Sequence, residues 1–166
     1  MANYAASSKN GLLGEVLTEL ELIKRDWHVE RLDGKSHAIN ADLIAAKGWK
    51  RVVIQVKAAL SWERPSFGHA TQFLNGTKQK FFNSVESSLM TDFVVTVVGG
   101  AQNPTFHVFP VNDAERLAQA KAVEWYETPT KLGKKRSPNF PVSLAKADPA
   151  IKHFENAWEL MDASNG

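Results

Sequence analysis

Ala41-Asp42-Leu43-Ile44-Ala45-Ala46-Lys47-Gly48-Trp49-Lys50-Arg51-Val52-Val53-Ile54-Gln55-Val56-Lys57-Ala58 holds two apolar runs either side of a glycine-containing turn. Ile39 to Ala46 and Arg51 to Ala58 read as strands, the second rich in Val and Ile, and Lys47 to Lys50 joins them as a four-residue hairpin loop. That loop pairs Ala46 with Arg51, and counting outward sets Asp42 opposite Gln55. Opposed side chains share a face, with Cβ atoms about 4.5–5.5 Å apart. Strand alternation adds Lys57 to that face and turns Val52, Ile54 and Val56 towards a core.

Upstream, Leu12, Leu13, Val16, Leu17, Leu20 and Ile23 recur at three and four, which predicts an amphipathic helix over Gly11 to Arg25, capped by Ser8 or Asn10. Trp27 to Leu32 is a first strand, ended by the turn Asp33-Gly34-Lys35. Downstream, Phe73, Phe81, Phe82, Val85 and Leu89 suggest a helix within His69 to Leu89. Phe93 to Val98 is a buried strand closed by Gly99-Gly100, and Thr105 to Val111 is another. Asn112 or Asp113 caps a helix reaching about Trp125. Asp148-Pro149 starts a last helix with Ile151, Phe154, Ala157, Trp158 and Met161 on its buried side. A helical crossover between the third and fourth strands implies a parallel pair, while the first three can form an antiparallel meander. The expectation is an α/β fold with a mixed sheet.

The chain has 166 residues, the size of one domain, so residues 1–166 are read as a single unit. No cysteine is present, which excludes disulfides, thiol nucleophiles and zinc sites built on sulfur. No run approaches the roughly 20 apolar residues that span a bilayer, and Met1 to Asn10 does not read as a secretory leader. A cytoplasmic protein without membrane contact is expected. The five histidines show no i,i+4 pairing, and neither a Gly-x-Ser-x-Gly elbow nor a phosphate loop occurs. Net charge is only +2, but Lys131, Lys134, Lys135, Arg136 and Lys146 fall between residues 128 and 147 with no acid among them, a basic loop.

An acid, an amide and an ammonium on one face admit two readings. One is a half-exposed polar face with an ion pair, common in antiparallel sheets. The other is a site for a hard cation such as Mg²⁺, which takes oxygen ligands from one or two carboxylates and leaves room for water and phosphate. Asp42 would supply an anionic oxygen, Gln55 a neutral one and the main-chain carbonyl of Val56 another. Lys57 would position an activated water and offset charge on a phosphate. Spacing alone leaves both open.

Gly14-Glu15, then Asp42-Leu43-Ile44, then Ile54-Gln55-Val56-Lys57 resembles the signature of the PD-(D/E)XK nucleases, a helix glutamate, a strand-two aspartate and an (E/D/Q)-x-K tripeptide. Its Gln form is similar to that of Mrr-like restriction and intron-homing endonucleases. The resemblance implies the αβββαβ restriction-endonuclease-like core plus C-terminal helices, and hydrolysis of double-stranded DNA with Mg²⁺ or Mn²⁺. It makes Asp42 the principal metal ligand, Gln55 the second and Lys57 the catalytic lysine. Glu15 becomes an accessory acid, with Glu19, nearer the apolar stripe, as its substitute. Ala41 stands where the signature carries proline, and Gln55 where it often carries an acid. The latter change admits an alternative: a nuclease-fold subunit without chemistry that binds DNA or regulates. Lys78, Lys80, Lys134, Lys135 and Arg136 would contact phosphates, and Trp49 and Trp62 flank the site strand. A homodimer is expected, because cutting both strands needs two sites and the chain carries one.

Overall fold

The computed structural model describes residues 2–32, 41–60, 66–69, 74–75, 80–81, 91–134, 141–143 and 148–163. Helix α1 (Ala2–Ile23) begins well before Gly11, so Ser8 and Asn10 are interior positions instead of caps. Ala2, Ala5 and Ala6 have the helix propensity to extend it. A turn with Asp26 at φ 64° leads into β1 (His28–Arg31).

β1, β2 (Leu43–Lys47) and β3 (Lys50–Ala59) form the expected antiparallel meander. Ala46 opposes Arg51, but Lys47 and Lys50 pair as well, so the loop is Gly48-Trp49 alone. Gly48, at φ 60°, takes the left-handed conformation that a two-residue hairpin requires to match strand twist. Trp49 projects from this tip fully exposed. Three short strands follow: β4 (Ser66–His69), β5 (Leu74–Asn75) and β6 (Lys80–Phe81). β5 pairs with β6, which corrects the expected helix over 69–89 at those residues. Aromatic residues such as Phe81 suit a strand at least as well as a helix. The remainder of that stretch lies outside the described residues.

β7 (Phe93–Val98) runs parallel to β3, from Ile54↔Phe93 to Ala59↔Val98, and β8 (Thr105–Pro110) runs antiparallel to β7. The five-stranded mixed sheet has the order β1-β2-β3-β7-β8. α2 (Val111–Glu127) follows Pro110 directly. Asn112 and Asp113, expected as caps, lie in its first turn, where the Asp113 carboxylate suits the positive end of the helix and pairs with Arg116 at 2.6 Å. β9 (Pro141–Ser143) pairs with β4, so the basic stretch 128–147 is not loop throughout.

Asp148 caps the next element as its sequence suggests, its Oδ1 accepting from Ala150 N at 3.0 Å, but the element is a short 3₁₀ helix (Pro149–Phe154). A separate α3 (Glu159–Ala163) follows. The single helix expected here breaks at Asn156, which sits at φ 52° and donates its N–H to Phe106 O at 2.9 Å, tying the chain to β8. The anticipated buried residues Ile151, Phe154, Ala157, Trp158 and Met161 are all buried.

Both sheet faces are covered. Leu22 and Trp27, with Leu43, Ile54, Phe93, Val95, Val97, Phe106, Trp158 and Met161, fill the side under α1 and α3. On the other side Val94 and Phe109 pack with Ala114, Ala118 and Ala122, whose i,i+4 spacing gives α2 a small-residue stripe for close approach. No helix among the described residues is long and apolar enough to cross a membrane.

Candidate active site

β2 stops at Leu43 while β3 continues to Ala59, so β3 overhangs the end of its neighbour and its backbone there needs other partners. Asp42 provides them. Its N–H donates to Ile54 O at 2.9 Å, and its Oδ2 accepts from Val56 N at 2.6 Å. A strand N–H points within the plane of the sheet. The carboxylate is therefore drawn to the seam between the two faces instead of standing squarely on one, a refinement of the sequence count that set it opposite Gln55. Because the N–H and C=O of one strand residue point to the same edge, the Val56 carbonyl is on the side of Asp42 too.

Gln55 and Lys57 fall on the face shared with Val94 and Thr96 of β7, and that face is covered, not solvated. Gln55 is 7% exposed, and its Oε1 is buried without a hydrogen-bond partner among the described residues. Such an orphan costs about 1–3 kcal/mol of desolvation. Burial pushes the Asp42 carboxyl above its ordinary range, although the Val56 bond and the Lys57 charge pull it down. Burial likewise pushes the Lys57 ammonium down, against the pull of Asp42. None of the ion pairs among the described residues involves Asp42 or Lys57.

Glu15 approaches Asp42 from α1. Gly14 lies directly on β3, where an added Cβ would overlap Ala58 Cβ and meet Val56 Cγ1 at 3.5 Å. Thr18 satisfies its own hydroxyl on Gly14 O at 2.9 Å. This contact seats the helix close enough for Glu15 and Asp42 to feel each other: the Glu15 carboxyl is pushed up by burial and then by the Asp42 charge, with Arg31 opposing. Glu19, the substitute, is instead paired with Arg31 at 2.6 Å. The structure thus brings Glu15, Asp42, Gln55 and Lys57 to one end of the β2–β3 hairpin.

Of the basic residues, Lys134 is exposed on a turn closed by Thr130 N to Lys134 O at 3.0 Å. Lys80 lies in β6, and Lys78, Lys135, Arg136 and Trp62 lie outside the described residues. Val142 of β9 is buried with Val94 and Phe109, so β9 lies on the same face as Gln55 and Lys57. Sequence reasoning missed that the row of Lys57 continues into Thr96 and His107, both buried, with Thr96 Oγ1 and His107 Nδ1 3.0 Å apart. Their parity in two otherwise apolar strands was the available signal. Arg31 was also missed, and nothing local to it marked its proximity to Glu15.

The oxygen types are those a hard cation takes: an Asp42 carboxylate whose Oδ1 is not used by Val56, the orphaned Gln55 amide oxygen, and the Val56 main-chain carbonyl on the edge of β3 that faces Asp42. No group of three or more His, Cys, Asp or Glu suited to a metal occurs among the described residues, so any ion here relies on neutral oxygens.

The sheet order, the two covered faces and the overhanging hairpin make this a nuclease-like α/β fold. A solved structure of a bacterial homing endonuclease shares it, with a TM-score of 0.56 over 93% of this chain and 92% of that chain at 16% identity. At that identity the likeness is one of fold. No family model and no curated protein matches the sequence.

Proposed function

We propose that this chain is a metal-dependent endonuclease of the PD-(D/E)XK type in its Gln-x-Lys form, hydrolysing phosphodiester bonds of double-stranded DNA in the cytoplasm. The observation that carries the reading is the buried Gln55 Oε1, unpartnered among the described residues and one residue before the Val56 N–H that binds the Asp42 carboxylate raised by burial; the burial of both groups costs stability, and a bound cation would relieve it. Asp42, Gln55 and the Val56 carbonyl would hold Mg²⁺ or Mn²⁺. The ion, when bound, lowers the pKa of a water and offsets charge on the phosphate. Lys57 holds the attacking water in line with phosphorus and donates to a phosphate oxygen as charge builds there. Glu15 orders solvent on the α1 side of Asp42. Lys134, and Lys78, Lys80, Lys135 and Arg136 with it, contact the backbone without reading sequence.

Plasmid nicking in Mg²⁺ and in Mn²⁺ tests this. Lys57→Ala is expected to lose about 10²- to 10⁴-fold in rate while its DNA affinity, read by gel shift, stays within a few fold. The second reading, a DNA-binding or regulatory subunit with the fold but no chemistry, is favoured by the single acid among the proposed ligands. Tight DNA binding with no cleavage in either metal would establish it over the first.

A further inference from the structure

The apolar stripe of α1 faces away from the sheet. Among the helix residues whose burial is described, Lys9 to Ile23, Gly14, Thr18 and Leu22, at i, i+4 and i+8, are the buried ones, whereas Leu12, Leu13, Leu20 and Ile23 are 55%, 38%, 48% and 50% exposed. With half-buried Val16 they fall within an arc of about 100° on the helix. At Gly14 the helix sits so close to β3 that a side chain has no room, and the small Gly14 and Thr18 face the sheet there. A contiguous exposed apolar patch on a helix rimmed by charge marks an interaction surface.

The pattern of that surface is its own mirror image. Val16 and Leu20 stand two residues either side of Thr18, Leu13 and Ile23 five, Leu12 and the aliphatic stem of Lys24 six. An antiparallel helix pair about a two-fold axis opposes such mirrored positions, which is the condition for an isologous contact. Charge agrees with it. Exposed Lys9 lies nine residues before Thr18 and exposed Asp26 eight after, so each end of the pair sets an ammonium against a carboxylate. A standard interface buries roughly 800 Å² per partner. The stripe, about 18 Å long, forms its apolar centre, and Lys9, Glu19, Lys24 and Asp26 its polar rim.

We propose that the exposed face of α1 is the two-fold interface of a homodimer of this chain, with α1 packed antiparallel on its copy across Val16 and Leu20. A two-fold axis through the contact keeps like edges of the two helices on one side. Both copies of Glu15, three residues from Thr18, then face the same way, offset by about 9 Å along the helix axes, with the axes about 8–10 Å apart. The dimer does not depend on the nuclease reading; its use in presenting two sites to one duplex does.

Sedimentation velocity of the full chain at about 1 to 100 μM, where helix-mediated dimers of moderate affinity assemble, is expected to give twice 18.4 kDa. Leu20→Glu sets a carboxylate against the partner's apolar stripe and should sediment as a monomer with unchanged helix content. The chain has no cysteine, so Val16→Cys/Leu20→Cys introduces its only thiols, and mild oxidation should yield a covalent dimer on a non-reducing gel. A monomeric parent at the highest concentration, or a folded Leu20→Glu protein that remains dimeric, overturns the proposal. Should Leu20→Glu fail to fold, the thiol pair decides, and absence of a covalent dimer rejects this face. Mass alone is read in each arm, so loss of cleavage leaves the outcome unaffected.

Discussion

Asp42 serves two ends at once. Its Oδ2 completes the ladder just before the first residue of β2, and its burial makes the ionised form expensive. A carboxyl raised above its ordinary 3.8 favours the folded state while protonated, so that contribution is complete below pH 3.8 and disappears as pH rises through the folded value. At neutral pH the charge is a net cost. Asp42→Asn keeps an acceptor for Val56 N and removes that cost. In chelator at pH 7 it should melt above the parent, with the gap closing towards pH 3.8. Added Mg²⁺ should raise the parent's Tm and leave the variant's unchanged, since only the parent gains linkage free energy, about 2.7 kcal/mol at a hundredfold excess over Kd. Thermal melts over pH and metal concentration check both. A variant less stable than the parent throughout would show that the carboxylate is structural.

At the scale of elements, the seat of α1 on β3 governs where Glu15 stands. Gly14→Ala puts a methyl into Ala58 and Val56, atoms of a central strand that has little freedom to retreat. A loss of about 1–3 kcal/mol is expected from such overpacking, measured by urea unfolding, even though alanine is the better helix former. The helix was legible from its period, but not the side it turns to the sheet. Leu12, Leu13, Leu20 and Ile23 look like a core stripe, and only contact with β3 reveals that glycine and threonine face inward. Strand register was more legible: Ala46 opposite Arg51 followed from a glycine turn and two apolar runs, and the parallel β3–β7 pair from the need for a crossover. The break at Asn156 was not, because its cause is a bond to Phe106, fifty residues earlier in the chain. Among the site residues, Asp42, Gln55 and Lys57 could be placed by counting. The in-plane pull on Asp42 could not, since it arises from where β2 ends.

For the whole molecule, cleavage and assembly become separable. If α1 pairs two copies whose site edges face one way, the parent should convert supercoiled plasmid to linear product with little nicked circle accumulating. Leu20→Glu, at a half-exposed position, should still nick but leave nicked circle as the main product over the same time course. Gel densitometry reads the ratio. Equal linear yield from both proteins would mean that the two strands are cut in independent encounters.

The solitary amide oxygen of Gln55 carries an evolutionary consequence. A leucine there would fill similar space without stranding an acceptor, so folding alone gives selection no reason to retain glutamine. Relatives that had abandoned strand scission are expected to carry aliphatic side chains at this position. Glutamine persisting among distant kin would therefore act as a fossil of use, readable before any of them is assayed.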